Sequence, residues 1–179
     1  MSDILKPETP EQVLEAVKWA AAEETPLQIK GAGTKAELGR PMGDVQTLDL
    51  SQLSGITFYE PAELVLSAAA ATPMAGIRLA LAEHNQQLAF EPPDLGRLLG
   101  SRPDAATLGG TLACNLAGPR RIKAGAARDH FLGLRAVSGR AEIFKSGGRV
   151  VKNVSGYDLC KIVAGSYGTL AVLSEITVK

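Results

Sequence analysis

Gly31-Ala32-Gly33-Thr34-Lys35-Ala36-Glu37-Leu38-Gly39-Arg40-Pro41-Met42-Gly43 is the stretch on which the fold turns. Its first six residues satisfy the G-x-G-x-x-G/A pattern, and they follow Leu27-Gln28-Ile29-Lys30, which alternates like a short strand. A doubly wound nucleotide fold then needs a long helix, whose N-terminus holds the pyrophosphate. Gly39, Pro41 and Gly43 forbid that helix. The glycines need another explanation. Successive small residues in a turn let several backbone N–H groups converge on an anion, and Lys30 and Lys35 flank the turn, so a diphosphate is a fitting guest. A plain tight turn is the alternative. A P-loop is excluded because the chain contains no Gly-Lys dipeptide.

Upstream, Thr9-Pro10-Glu11-Gln12 supplies a capping hydroxyl, a first-turn proline and a glutamine three residues on, and Val13, Leu14, Val17, Ala20 and Ala21 recur at helical spacing. The pattern predicts an amphipathic helix over 10–23. Downstream, 47–50, 56–59 and 64–69 read as short strands, and Thr72-Pro73 opens a helix reaching about Asn85. From Glu91 to Gly125 the chain is rich in Gly, Pro and small residues, with one short helix expected at 108–116. Then 132–137 and 141–144 form a hairpin about Ser138-Gly139, 149–152 a further edge, 158–164 a short helix and 169–178 a last strand. The sum is an α+β fold of two lobes: a small N-terminal α/β lobe over about 1–50, and a larger, mostly antiparallel sheet with helices over about 51–179.

A length of 179 residues fits a single domain of this kind. Nineteen basic and nineteen acidic residues leave no net charge, which removes any general attraction for nucleic acid. The charge is unevenly spread: Arg120, Arg121, Lys123 and Arg128 crowd together, which suits a small anionic ligand or simply a solvated loop. Cys114 and Cys160 stand far apart in no C-x-x-C pair, so a disulfide framework, a zinc site and an iron–sulfur cluster are not expected, and no metal is. Reduced thiols and an N-terminus of acids and prolines, without signal-peptide character, predict a cytoplasmic location.

Four further segments join the first: Ala106-Thr107-Leu108-Gly109-Gly110-Thr111-Leu112-Ala113-Cys114-Asn115, Gly125 to Gly133, Lys152 to Asp158, and Ala164-Gly165-Ser166-Tyr167-Gly168-Thr169-Leu170-Ala171-Val172. In this order they resemble the flavin domain of the vanillyl-alcohol oxidase / p-cresol methylhydroxylase superfamily, and within it the FAD-binding subunits of bacterial glycolate oxidases, relatives of the D-lactate dehydrogenases. The resemblance implies that Lys30, Gly31, Ala32, Gly33, Thr34 and Lys35 wrap the pyrophosphate of FAD. It implies that Thr107, Leu108, Gly109, Gly110, Thr111, Cys114 and Asn115 line the diphosphate, ribityl chain and ring. Gly125 would lie near the ligand, and Gly165, Gly168 and Val172 would close over its nucleotide side. Arg128 and Asp129 match as a structural pair, Tyr157 and Asp158 as packing residues. Thr34-Lys35 stands where covalent members carry a flavin-linked histidine, so attachment is expected to be non-covalent. Asn115-Leu116-Ala117-Gly118 departs from the usual Asn then Ala-Gly-Gly. Lys179 falls where the family's substrate domain would begin.

The implied function is a non-covalent FAD-binding domain of a 2-hydroxy acid oxidoreductase of glycolate or D-lactate type. Turnover would need a substrate domain or partner subunits: a second flavin subunit and an iron–sulfur subunit, with attachment to the inner face of the membrane through them. No residue stands out as a catalytic base; His84 reads as exposed and His130 as structural. Two alternatives are a reductase of the nucleotide-sugar enolpyruvate type and a non-catalytic assembly subunit that has kept the flavin fold.

Overall fold

Thr9 accepts the N–H of Gln12 at 3.2 Å and Pro10 fills the first turn, so the chain enters α1 (Pro10–Ala22) where its sequence places it. The molecule is seen in a computed structural model that describes residues 4–40, 43, 45–149 and 156–179. After α1 comes β1 (Leu27–Lys30), paired in parallel with β2 (Gln46–Asp49). Leu5 adds a parallel bridge to Leu48 on this small sheet. Residues 31–40 between the two strands form turns and bends and no helix, as Gly39 requires.

The second sheet has five strands in the order β3 (Ile56–Glu60), β4 (Val65–Ala69), β7 (Ala171–Val178), β5 (Phe131–Ser138), β6 (Ile143–Gly147), and every neighbouring pair is antiparallel. Its central strands are covered on both faces. Leu134, Ala136, Leu173 and Ile176 point into one core, packed with Leu66, Met74, Ile77, Leu108 and Leu112. Val137 and Val172 point into the other, with Val13 and Val17 of α1 and Leu48 and Leu50 around β2. Double coverage explains why 171–173 reads as a continuous apolar run, since both residue parities are buried. Three of the hydroxyls taken inside the sheet are paired: Ser67 with Thr177 at 2.8 Å, and Ser174 donating to the Arg135 carbonyl at 2.9 Å.

Several boundaries differ from expectation. The helix after Pro73, α2 (Met74–Ala82), ends before Asn85, which turns left-handed at φ 55. The helix expected at 108–116, α3 (Leu108–Ala113), stops early for the same reason at Asn115, φ 49. Leu64 belongs to no strand; it closes a 3-10 turn over Pro61–Glu63. A single-turn α4 (Arg121–Ala124), unforeseen, carries Arg121 and Lys123 of the basic cluster, with Arg120 at its N-cap. In α5 (Leu159–Val163) Asp158 is the N-cap, accepting the Lys161 N–H at 3.3 Å, while Tyr157 is 86% exposed and not packed inside. The edge expected at 149–152 lies outside the described residues from 150 on, as do 152–155 of the fourth segment.

Two sets of backbone hydrogen bonds position the site. The start of α3 is fastened to the β4–α2 connection: Leu108 N–H donates to Thr72 O at 3.0 Å and Gly109 N–H to Ala70 O at 2.7 Å. The turn before β7 is fastened to the end of α3: Gly165 N–H donates to Leu112 O at 3.1 Å and Tyr167 N–H to Ala113 O at 2.9 Å.

Candidate cofactor-binding site

β1 runs out at Lys30 into the glycine turn, and that turn faces α3 and the 165–169 turn across one crevice. A cavity of about 380 Å³ is lined from Leu27 to Ala36 and by Thr107, Gly110, Ala113, Cys114, Tyr167, Gly168 and Thr169. A smaller hollow of about 80 Å³ adjoins it, adding Leu50, Ala70, Ala71, Gly109 and Leu173, and sharing Ile29, Gly31, Thr107 and Gly110 with the larger one. Lys30, Gly31, Ala32, Gly33, Thr34, Lys35, Thr107, Gly109, Gly110, Cys114 and Gly168 thus meet at one crevice, from three separated parts of the chain.

The glycines on the two walls do different work. Among the described residues, the backbone N–H groups of Gly31, Ala32, Gly33, Thr34 and Lys35 find no protein acceptor, whereas Ala36 and Leu38 donate back into the turn at 3.1 Å each. Five such donors in a row are what an anion nest requires. The α3 wall has no such surplus. Leu108 and Gly109 are satisfied by Thr72 and Ala70, Gly110 donates to Thr107 Oγ1 at 3.3 Å, and Thr111 to Thr107 O at 2.9 Å. Gly109 is there for close approach, since a Cβ would lie 2.8 Å from the Ala70 carbonyl oxygen. Gly110 is the glycine that opens the crevice: a Cβ there would stand 3.2 Å from Thr107 Oγ1 and 3.4 Å from the Lys35 amine. The amides without a protein acceptor therefore lie on the 31–35 turn, and those that open α3 are satisfied within the protein.

Lys35 supplies charge beside the nest. Its amine donates to Thr34 Oγ1 at 3.1 Å, and burial holds it below the ordinary lysine value, with Cys114 and Asp94 drawing it back up. Burial in turn pushes the Cys114 thiol up, against the pull of Lys35. The Asp94 carboxylate is held below its usual range by the N–H groups of Asp104 and Gly96, at 2.8 and 3.0 Å. A half-buried ammonium, a hydroxyl and five free amides on one wall, opposite glycine and alanine on the other, fit a dinucleotide diphosphate.

Other sequence-marked residues stand behind the crevice or away from it. Leu108 and Thr111 are fully buried, the Thr111 hydroxyl donating to Thr107 O at 2.8 Å. Asn115 accepts the Arg128 N–H at 3.0 Å and packs near Gly165, so both support the end of α3. Gly125, at φ 89, is crowded by Asp129 and His130 outside the crevice. Val172 lies in the α1 core and lines a third cavity of about 290 Å³, which shares Leu27, Ile29, Gly168 and Thr169 with the larger one. Arg128 bonds through its backbone N–H, whereas the Asp129 carboxylate accepts the Ala126 N–H at 2.9 Å. His130 sits 2.7 Å from Ala124 O and against Phe90, a structural placement, and His84 is exposed edge-on to Tyr59. Cys160 is buried, its thiol pushed up to about 12 by desolvation, which leaves it inert. Sequence reasoning missed Ile29, Ala113 and Tyr167 as lining residues; the strand-to-turn junction and the left-handed Tyr167 leave no local signature.

The model of a family described as "FAD binding domain" matches residues 2–147. The chain is 46% identical over 167 residues to glycolate oxidase subunit GlcE of Escherichia coli, covering 93% of this chain and 45% of that protein. It is 33% identical over 177 residues to a D-lactate dehydrogenase of Archaeoglobus fulgidus, covering 98% and 38%. Glycolate oxidase subunit GlcD of Bacillus subtilis is 39% identical over 90 residues, half of this chain and 18% of that one. A solved structure of alkyldihydroxyacetonephosphate synthase superposes with a TM-score of 0.74 at 20% identity, over 98% of this chain and 33% of the other, a likeness of fold. The chain spans less than half the length of these relatives.

Proposed function

This chain belongs to the FAD binding domain family, and from that premise we propose that it holds FAD non-covalently in the crevice between the 31–35 turn and α3, as the flavin-binding part of a 2-hydroxy acid oxidoreductase of the glycolate oxidase kind. The five unpaired amides beside Lys35 carry the reading. The nest takes the diphosphate, Lys35 neutralises part of its charge, and the glycine wall of α3 leaves room for the rest of the cofactor. Thr34 and Lys35 offer no imidazole to a flavin methyl, in keeping with non-covalent binding.

When bound, FAD supplies the two-electron oxidation of the hydroxy acid. The chain's own residues bind and orient it. None of the described residues lining the crevice is a carboxylate or a histidine, so the group that takes the hydroxyl proton comes from elsewhere. A substrate domain, a second flavin subunit and an iron–sulfur subunit to carry electrons onward complete the activity in this proposal. The names of the relatives favour glycolate and D-lactate over a nucleotide-sugar substrate. No described helix is long and apolar enough to cross a membrane, and we place the protein in the cytoplasm, held to the inner face through its partners.

Titration of the purified chain with FAD tests the proposal. Wild type is expected to turn yellow and saturate at one equivalent, and Gly110→Trp, which fills the crevice while leaving the Ala70 contact intact, to lose binding. Equal affinity in both proteins would place the cofactor elsewhere.

A further inference from the structure

Tyr167 is an unusual residue at an unusual place. Its backbone is left-handed, φ 55, a conformation disfavoured for a bulky side chain, and it stands between Gly165 and Gly168 at φ 82 and 79. The turn is held there by the Tyr167 N–H donating to Ala113 O at 2.9 Å and the Gly165 N–H to Leu112 O at 3.1 Å. Core packing does not account for it, because the residue is 62% exposed. Instead it lines both parts of the crevice, beside Gly31, Thr107 and Gly110. Among the described lining residues it is the one aromatic; the others are small, aliphatic or cationic, apart from the Gln28 amide.

We infer that Tyr167 is a stacking lid: its ring closes over a flat heteroaromatic ring of the bound dinucleotide, the isoalloxazine or the adenine. Strain in a pinned turn that gains no burial persists where a ligand uses it. An exposed ring at the mouth of a crevice walled by glycine offers the π-face that those walls lack, and aromatic stacking on such a ring is a strong and geometrically tolerant contact. The inference rests on the FAD reading above and goes beyond it by naming a positioning residue outside the anion nest.

Titrations of the full chain with FAD, FMN and ADP, for wild type, Tyr167→Phe and Tyr167→Asn, test it. Asparagine tolerates left-handed backbone, so Tyr167→Asn removes the ring without straining the turn. It is expected to weaken FAD about ten- to a hundredfold, with Tyr167→Phe within about threefold of wild type. A parallel loss for FMN with ADP unchanged assigns the ring to the isoalloxazine; the reverse assigns it to the adenine. Should Tyr167→Asn bind all three as wild type does, or Tyr167→Phe lose as much as Tyr167→Asn, the lid is wrong while the FAD reading stands. A wild type that takes up no FAD ends both. Circular dichroism checks folding, and Tyr167→Gly, which suits the same φ, replaces an asparagine variant that does not fold.

Discussion

Lys35 illustrates how one side chain ties the electrostatics of the crevice to its occupant. Burial disfavours its charged form, so its amine titrates below the ordinary lysine value. A diphosphate beside it favours the charged form and raises that value again. Binding is then insensitive to pH while Lys35 is protonated in both states. It weakens as pH rises through the lowered value of the free protein, where binding must take up a proton, and levels off above the raised value of the complex. Measured FAD affinity from neutral to alkaline pH is expected to show this decline, and Lys35→Met to bind about tenfold more weakly at neutral pH, as for a lost charge-assisted hydrogen bond, with the decline abolished. A Lys35→Met profile that falls in step with wild type would assign the titration to another group. The sequence marks Lys35 as a cation beside a glycine turn. It does not reveal that Cys114 and Asp94 lie near the amine, because both are residues brought in by folding.

At the level of elements, the two threonine caps have the same chemistry and different consequences. Thr9 accepts the Gln12 N–H at the start of α1, on the outside of the molecule. Thr107 accepts the Gly110 N–H at the start of α3, inside the crevice, and a Cβ on Gly31 would come within 2.9 Å of its hydroxyl. Removing either cap costs about 1 kcal/mol of stability. Thr9→Ala is expected to lower the unfolding midpoint and leave FAD affinity unchanged, whereas Thr107→Ala lowers both; chemical denaturation alongside FAD titration separates them. If Thr107→Ala binds FAD like wild type, α3 is scaffold only. α1 and its cap are legible in the sequence because cap, proline and apolar period are all local. α3 is legible in type but not in role. Whether the amides of Gly109 and Gly110 are free depends on Ala70, far off in sequence, and on the hydroxyl of Thr107, and no local pattern encodes the first of these. The alternating strands 132–137 and 141–144 declare a hairpin, while the placement of β7 between β4 and β5 comes from which strands can be covered on both faces.

Over the whole molecule the crevice lies where the two cores meet. Ile29 and Leu50 on one wall pack with the α1 core, and Ala70, Gly109 and Leu173 on the other stand over the core of α2 and α3. A ligand lying between them touches both, so it binds only when both are formed, and its binding energy adds to the stability of the entire fold. At a free FAD concentration of about 100 times Kd this linkage contributes about 2.7 kcal/mol. For a domain of this size that amounts to a rise in midpoint of roughly 5–10 °C. A series of thermal melts at increasing FAD is expected to shift one cooperative transition upward without splitting it, and the shift to vanish in Gly110→Trp. Two transitions, of which FAD moves only one, would mean that the ligand rests on a single core. The same preparation is expected to oxidise neither glycolate nor D-lactate, since the described residues of the crevice bring hydrogen-bond donors for an anion, a cation and open space to the cofactor, and none of them is a carboxylate or histidine to accept the substrate's proton. Stabilisation without turnover is thus the joint outcome that separates a flavin-holding domain from a self-sufficient enzyme, and turnover by the isolated chain at a rate proportional to bound FAD would refute that assignment.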